Sequence, residues 1–377
     1  MRILHVTNDF EIGGVQVYLS HLLPELKARG HELALVVLTG RGPLLPKLDE
    51  AAIPWRYIPA LGRWGALRWP RWSAVTELSR YIDHVFCADI VHTHLLIGNT
   101  VGRLAVLRSH AHPKIIATEH STYYQKPGWA QWLDRRLAGS TDVIMAVSET
   151  VRNFTIRQES LPADKVVTVR LGLVPSRETG IEDDPLYSEM VRRPTVGIVG
   201  RLVEEKGHNL FLHTIYAVLK ARPDVLALVI GDGPLLADVQ ALARRLGMGA
   251  DQVRFLGIRH DIPSLAKRLQ VFLLPSRREG FGMAPLEAMA GGAHVVLSKI
   301  PAFDELTRHG QYGTLVALPP EGRVSDWAEA VLTALSARLD RARLRHFVAQ
   351  HYAFDDHVDR LAGLYEEILR REGADLA

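Results

Sequence analysis

Twice along the chain, a short apolar run gives way to a glycine-bearing turn and then to a segment whose apolar residues recur about every 3.6 positions. The first series opens at Ile3 to Val6. Its turn carries Gly13 and Gly14, and its helix, about Val15 to Arg29, stops at Gly30, a residue suited to a C-cap. Further strands are expected at Glu32 to Leu38, Ile90 to His92, Lys114 to Thr118, Val143 to Val147 and Val166 to Val169. The second series has expected strands at Thr195 to Val199, Leu226 to Ile230, Val253 to Leu256, Val271 to Leu274, His294 to Leu297 and Thr314 to Val316. Apolar strands alternating with helical crossovers build parallel sheets covered on both faces, so an α/β fold is expected. A chain of 377 residues, 47% hydrophobic, can bury two cores of about 170 to 190 residues each. The expected division is a first domain over 1–175 and a second over 194–354. Residues 176–193, polar and proline-containing, read as the linker, and the helical segment 355–377 reads as packing back onto the first domain.

Composition excludes several classes. With Cys87 as the sole cysteine there is no intramolecular disulfide, which fits a reducing compartment. Met1-Arg2-Ile3-Leu4-His5-Val6 holds no signal-peptide core, and no apolar stretch reaches the roughly 18 to 20 residues that cross a bilayer, so a cytoplasmic protein is expected. A formal charge of +3 is too small at this length to indicate nucleic acid as a partner. The charge is unevenly placed, however. From Trp55 to Arg80, Arg56, Arg63, Arg68, Arg71 and Arg80 face a single acid, Glu77, and are interleaved with Trp55, Trp64, Trp69 and Trp72. Such a segment is expected either to lie in an anionic headgroup layer, joined by Tyr123, Tyr124, Trp129, Trp132, Arg135 and Arg136, or to be buried under the first domain.

The candidate chemistry lies where strands run into turns. Glu279-Gly280-Phe281-Gly282-Met283-Ala284-Pro285-Leu286-Glu287 follows a strand and opens a helix, so the free N–H groups of Gly282, Met283 and Ala284 suit an anion. There one carboxylate, Glu279, can face a sugar while the other, Glu287, accepts from a ribose diol; taken alone, the pair also fits two solvated glutamates. Gly200-Arg201-Leu202-Val203-Glu204-Glu205-Lys206-Gly207 offers Arg201 as a fork and Lys206 as a point charge for two phosphates, or else two solvated loop cations. The turns at Gly231 and at Gly257-Ile258 end further strands on the same expected edge, as ligand contacts or as ordinary turns. In the first half, Gly13 and Gly14 let a diphosphate approach the backbone, and they depart from the Gly-x-Gly-x-x-Gly pattern of NAD sites. His120, after Thr118 and Glu119, is placed to donate to a sugar or phosphate, and taken alone it also fits a structural histidine. His92-Thr93-His94 and His110-Ala111-His112 have no cysteine partner and make poor metal sites by spacing alone.

Taken in order, these turns and side chains resemble the family 4 glycosyltransferases, a large retaining family of GT-B fold, over nearly the whole chain. The resemblance implies two Rossmann-like domains with parallel sheets facing across a cleft. It implies that Gly13, Gly14, Arg201 and Lys206 hold the diphosphate of a UDP- or GDP-linked donor, that Glu287 binds ribose and that Glu279 lies beside the donor sugar. His120 matches a histidine that orients the sugar and the departing phosphate, and the amides of Gly282, Met283 and Ala284 match the loop that cradles that phosphate. It also implies front-face transfer with retention, without metal or other cofactor. If the Trp55–Trp72 segment lies on a membrane rather than under the first domain, the enzyme is expected at the inner face of the cytoplasmic membrane, acting on a glycan or lipid-linked acceptor as in polysaccharide or lipopolysaccharide assembly. No Asp-x-Asp metal grip occurs. The chain departs from the family at Leu171-Gly172, where Asn-Gly is common, and at Lys299 to Glu305, which lacks a glycine pair. A non-hydrolysing nucleotide-sugar epimerase shares this architecture and is the alternative.

Overall fold

A computed structural model describes residues 1–62, 70–122, 126–175, 184–337 and 340–374. The chain divides into two compact units, Met1–Val174 with Phe354–Ala377, and Pro175–Ala353.

In the first unit seven strands form one sheet: β1 (Arg2–Thr7), β2 (Glu32–Val37), β3 (Trp55–Tyr57), β4 (Ile90–His94), β5 (Lys114–Glu119), β6 (Val143–Ala146) and β7 (Val166–Thr168), in the order β3-β2-β1-β4-β5-β6-β7. The second unit holds β8 (Thr195–Val199), β9 (Leu226–Ile230), β10 (Val253–Gly257), β11 (Val271–Leu274), β12 (His294–Ser298) and β13 (Thr314–Val316), in the order β10-β9-β8-β11-β12-β13. Every strand pairing in both sheets is parallel. Burial on both faces is why the strands read as continuous apolar runs: Ile3, Leu4 and Val6 of β1 are buried, as are all five residues of β9. On one face of the first sheet, Leu4, Val36 and Val91 pack with Val75, Leu78 and Val101 of the helices Trp72–Tyr81 and Leu95–Arg108.

Each sheet has one place where the strand order reverses direction, β1/β4 in the first and β8/β11 in the second. Crevices beyond the carboxyl ends of strands at such points are where open α/β sheets take ligands.

Two boundaries differ from expectation. Residues 185–192 form a helix, Pro185–Arg192, with Leu186, Tyr187 and Met190 buried, so the end of the expected linker is part of the second unit. Pro185 starts a helix at its first turn, where a missing N–H costs nothing, and the Asp184 carboxylate accepts from the Leu186 N–H at 2.9 Å. Residues 176–183 of that stretch lie outside the described residues. The second difference is β3, an edge strand too short to show a period, formed by Trp55 and Arg56, which the sequence suggests for a surface.

Candidate active site

In the second unit the turns flanking the β8/β11 crevice are tied to each other. Lys206 Nζ donates to Glu279 Oε1 at 2.5 Å, the same oxygen accepts from Ser276 Oγ at 2.9 Å, and Arg277 N donates to the Glu205 carbonyl at 2.7 Å. The sequence reading gave Lys206 and Glu279 separate tasks; the structure makes them a half-buried ion pair. Lys206 keeps two further N–H groups for a ligand. Gly207, at φ +72°, follows the lysine because a Cβ there meets the Pro275 carbonyl oxygen at 2.1 Å. Arg201 is exposed and has no ion pair among the described residues. Gly231 lies under the same turn: its Cβ position is 2.1 Å from the Gly200 carbonyl oxygen, so close backbone packing accounts for this glycine. One strand further out, Gly257 ends β10 at φ +64° and Ile258 is 52% exposed, an apolar surface at the carboxyl edge.

The helix Met283–Gly291 starts from Gly282, at φ +102°, with no acid in its first turn. The N–H groups of Met283 and Ala284 have no intrahelical acceptor, and Pro285 has none to satisfy. One turn in stands Glu287, which burial pushes up to about 7, with no hydrogen-bond partner among the described residues. A partly buried carboxyl without a protein donor among the described residues, beside unpaired amides, is suited to hydroxyl donors of a ligand.

In the first unit the glycine turn and His120 flank the other crevice. Gly13 begins the helix Gly14–Ala28 without a side-chain cap, the first turn carries no acid, and a Cβ on Gly14 points into open space. Tyr18 of that helix sets its ring against His120, centroids 6.3 Å apart. Behind His120 is a set of histidines of which the sequence drew attention only to His92 and His94, as a poor metal site. His5 Nδ1 bonds His94 Nε2 at 2.9 Å, and His94 Nδ1 bonds His120 Nε2 at 3.1 Å. His92 bonds the Tyr365 hydroxyl at 2.7 Å and Thr118 Oγ1 at 2.5 Å. His357 Nδ1 donates to the Arg170 carbonyl at 2.7 Å, which leaves its Nε2 to accept from the Tyr18 hydroxyl, also at 2.7 Å. Burial lowers every one of these imidazoles, His5 and His120 to about 3 and His357 to about 4, so all are neutral. Nitrogens of His5, His92 and His94 lie within 4.8 Å of one another, a grouping able to attract a metal, but hydrogen bonds occupy most of them. His110 and His112 take no part in that group among the described residues.

A second cluster missed by sequence reasoning lies beside Glu119. Arg103, Lys126, Asp134 and Glu159 are each at most 6% exposed. Arg103 and Lys126 both pair with Asp134, and Lys126 reaches Glu159 at 3.1 Å and Glu119 at 3.6 Å. Three carboxyls facing two cations in a dry site push Glu119 and Glu159 upward, mainly through burial. No sequence signal marks this cluster, since its members come from separate helices and loops.

Of the basic-aromatic segment, Arg63, Trp64, Arg68, Trp69, Tyr123 and Tyr124 lie outside the described residues. Arg56 pairs with Glu77 at 2.9 Å and the Trp55 indole N–H donates to Asp49 at 2.9 Å, whereas Trp72 and Trp132 are 62% and 58% exposed. Among the described residues no helix is long and apolar enough to cross a membrane.

Two doubly wound parallel-sheet units, each with phosphate-suited turns at its switch point, define the GT-B class. Residues 12–177 match the model of Glycosyltransferase Family 4, and residues 193–337 match that of Glycosyl transferases group 1. The chain belongs to this family of glycosyltransferases. It is 31% identical over 266 residues to the lipopolysaccharide core biosynthesis mannosyltransferase LpsB of Rhizobium meliloti (strain 1021), covering 64% of this chain and 69% of the relative. Over 383 residues it is 27% identical to a GDP-mannose-dependent alpha-(1-6)-phosphatidylinositol monomannoside mannosyltransferase of Mycolicibacterium smegmatis, covering 96% of both. The fold matches Anabaena Alr3699/HepE, crystallised with UDP and glucose, with a TM-score of 0.81 at 20% identity over 97% of this chain and 99% of that one. These matches give no support to the epimerase alternative.

Proposed function

We propose that this glycosyltransferase moves a sugar from a UDP- or GDP-linked donor to a glycan or lipid-linked acceptor, with retention of configuration and without a metal. The observation that supports this most is Glu287: a partly buried carboxyl with no protein donor among the described residues, one turn past unpaired amides, fits the two hydroxyls of a ribose. Arg201 and Lys206 neutralise the diphosphate, the amides of Gly282, Met283 and Ala284 take charge on the leaving phosphate, and Glu279 holds Lys206 in place beside the donor sugar. Gly13 and Gly14 admit phosphate to the backbone, and His120 donates to sugar or phosphate. The departing phosphate itself accepts the acceptor proton. Support for the donor class comes from one relative whose name specifies GDP-mannose and from the UDP complex of a protein of the same fold.

The test is thermal stabilisation by a panel of UDP- and GDP-sugars in EDTA, followed by NMR of the product anomer. Stabilisation by one nucleotide class and an anomer matching the donor are expected. An inverted product, or dependence on a divalent ion, overturns the proposal.

The acceptor is proposed to be lipid-linked, with the enzyme peripheral at the cytoplasmic face of a membrane. Trp72 and Trp132, exposed beside Arg71 and Arg136, favour this reading, as do relatives named for lipopolysaccharide core and phosphatidylinositol mannoside. Co-sedimentation with anionic vesicles at low salt checks it, and absence of binding there removes it.

A further inference from the structure

The chain of imidazoles behind His120 fixes more than the position of that ring. A neutral imidazole carries one N–H and one lone pair, so two consecutive hydrogen bonds through three such rings run in a single direction. The direction is one of two. Either His5 Nδ1–H donates to His94 Nε2 and His94 Nδ1–H donates to His120 Nε2, or every bond is reversed.

What decides between them lies at the far end. His5 Nε2 is buried and has no hydrogen-bond partner among the described residues. In the first direction that atom is an unused lone pair; in the second it is an N–H sealed away from any acceptor. Orphaned N–H groups are the rarer and costlier defect in folded proteins. The neighbouring groups do not offer that N–H a way out. His92 has both nitrogens engaged, by Tyr365 and Thr118, and the Tyr18 hydroxyl hydrogen is committed to His357. All the rings concerned are neutral, so no imidazolium breaks the sequence of donors.

We infer that His5 and His94 are positioning residues that hold His120 in the tautomer with its proton on Nδ1, so the ring offers its ligand an N–H and never a lone pair. Nδ1 is the nitrogen of His120 that makes no hydrogen bond among the described residues. Tyr18, edge-on to the ring, sets its plane. In water imidazole prefers the other tautomer, so the protein has to impose this one. Joined to the proposed sugar transfer, on which its functional meaning rests, the inference makes His120 a fixed donor toward an anionic oxygen at any pH above its ionisation. It also bars the ring from serving as a general base there.

The test is two-bond 1H–15N NMR of the full chain, labelled with 15N-histidine, with His120 assigned by its loss in His120→Gln. Expected in the wild type, without ligand at pH 6 and pH 8, is a protonated Nδ1 and a bare Nε2 on His120. Finding the proton on Nε2, or an imidazolium at pH 6, overturns the inference, and this reading needs no variant to fold. In His94→Phe the His120 signals should move to the Nε2–H form or a mixture, while kcat falls roughly tenfold or more with a smaller change in donor KM. Signals unchanged in that variant overturn it. Stoichiometric zinc in the purified protein, with histidine signals that shift on chelation, also overturns it, because a metal takes the lone pairs the chain requires. A wild-type spectrum of the expected kind in a protein that transfers no sugar supports the inference and sinks only the proposed function.

Discussion

Replacing Glu287 by glutamine isolates the effect of burying one carboxyl. Burial raises this group from an ordinary 4.5 to about 7, so the folded protein holds the proton more tightly than the unfolded chain does. Where the native state binds more protons, stability falls as pH rises. The contribution is therefore fully present below about pH 4.5 and is lost as pH climbs through about 7. At ~1.4 kcal/mol per pH unit, that interval amounts to about 3 kcal/mol as an upper bound, and residual solvent contact reduces it to roughly 1–2 kcal/mol. Glutamine resembles the protonated acid in shape and has no charge to lose. Urea unfolding of wild type and Glu287→Gln should therefore coincide near pH 5, with the variant more stable by roughly 1–2 kcal/mol at pH 8. The variant should also bind its nucleotide-sugar donor about tenfold or more weakly at pH 8, since a charge-assisted acceptor has gone. Parallel stability curves from pH 5 to pH 8 refute the reasoning, because they mean Glu287 ionises like an exposed side chain.

Three other outcomes follow from the geometry. Lys206→Met should lower kcat/KM by roughly 10²–10³, and adding Glu279→Gln should cost much less than its effect alone, since each residue acts through the other; additive kinetic losses argue against a functional pair. Asp134→Ala strands the Arg103 and Lys126 charges in a dry site and should destabilise the first unit by about 3–5 kcal/mol, visible as a lowered thermal midpoint; a loss below ~1 kcal/mol would mean the cluster is hydrated. Asp184→Ala removes a helix cap and an ion pair with Arg259 and should cost about 1–2 kcal/mol in urea unfolding, whereas a residue in a free linker would cost less than about 0.5.

How much of the site could be read beforehand depends on how far apart its parts lie in the chain. Glu279 and Glu287 are eight positions apart in one strand–turn–helix segment, and Arg201 with Lys206 share one turn, so local grammar is enough to single them out. Lys206 and Glu279 are 73 residues apart, and nothing local says that one will hold the other. His5 and His94, 89 residues apart, are more telling. The expected strand stopped at His92, and carrying it two residues further puts His92 and His94 on one face of β4, beside β1 and His5. A histidine pair at alternate strand positions is the available signal, and spacing alone, too weak to indicate a metal, does not reveal its hydrogen-bonded partners either. The end of the expected linker is helical because Pro185, one of the prolines that make the stretch look like a linker, stands at the first turn of a helix, where proline is a start.

By itself the sequence determined the alternation of strand and helix, the parallel sheets that follow from it, and the turns that bear glycine and charge. Those are properties of contiguous residues, set by period, by side-chain size and by backbone freedom. The tertiary structure alone decided strand order, and with it which turns flank each crevice, which lysine meets which glutamate, and which way protons run through buried histidines. Such pairings are chosen by how crossovers pack across a sheet, a global balance of burial and hydrogen bonding that no local window of residues contains.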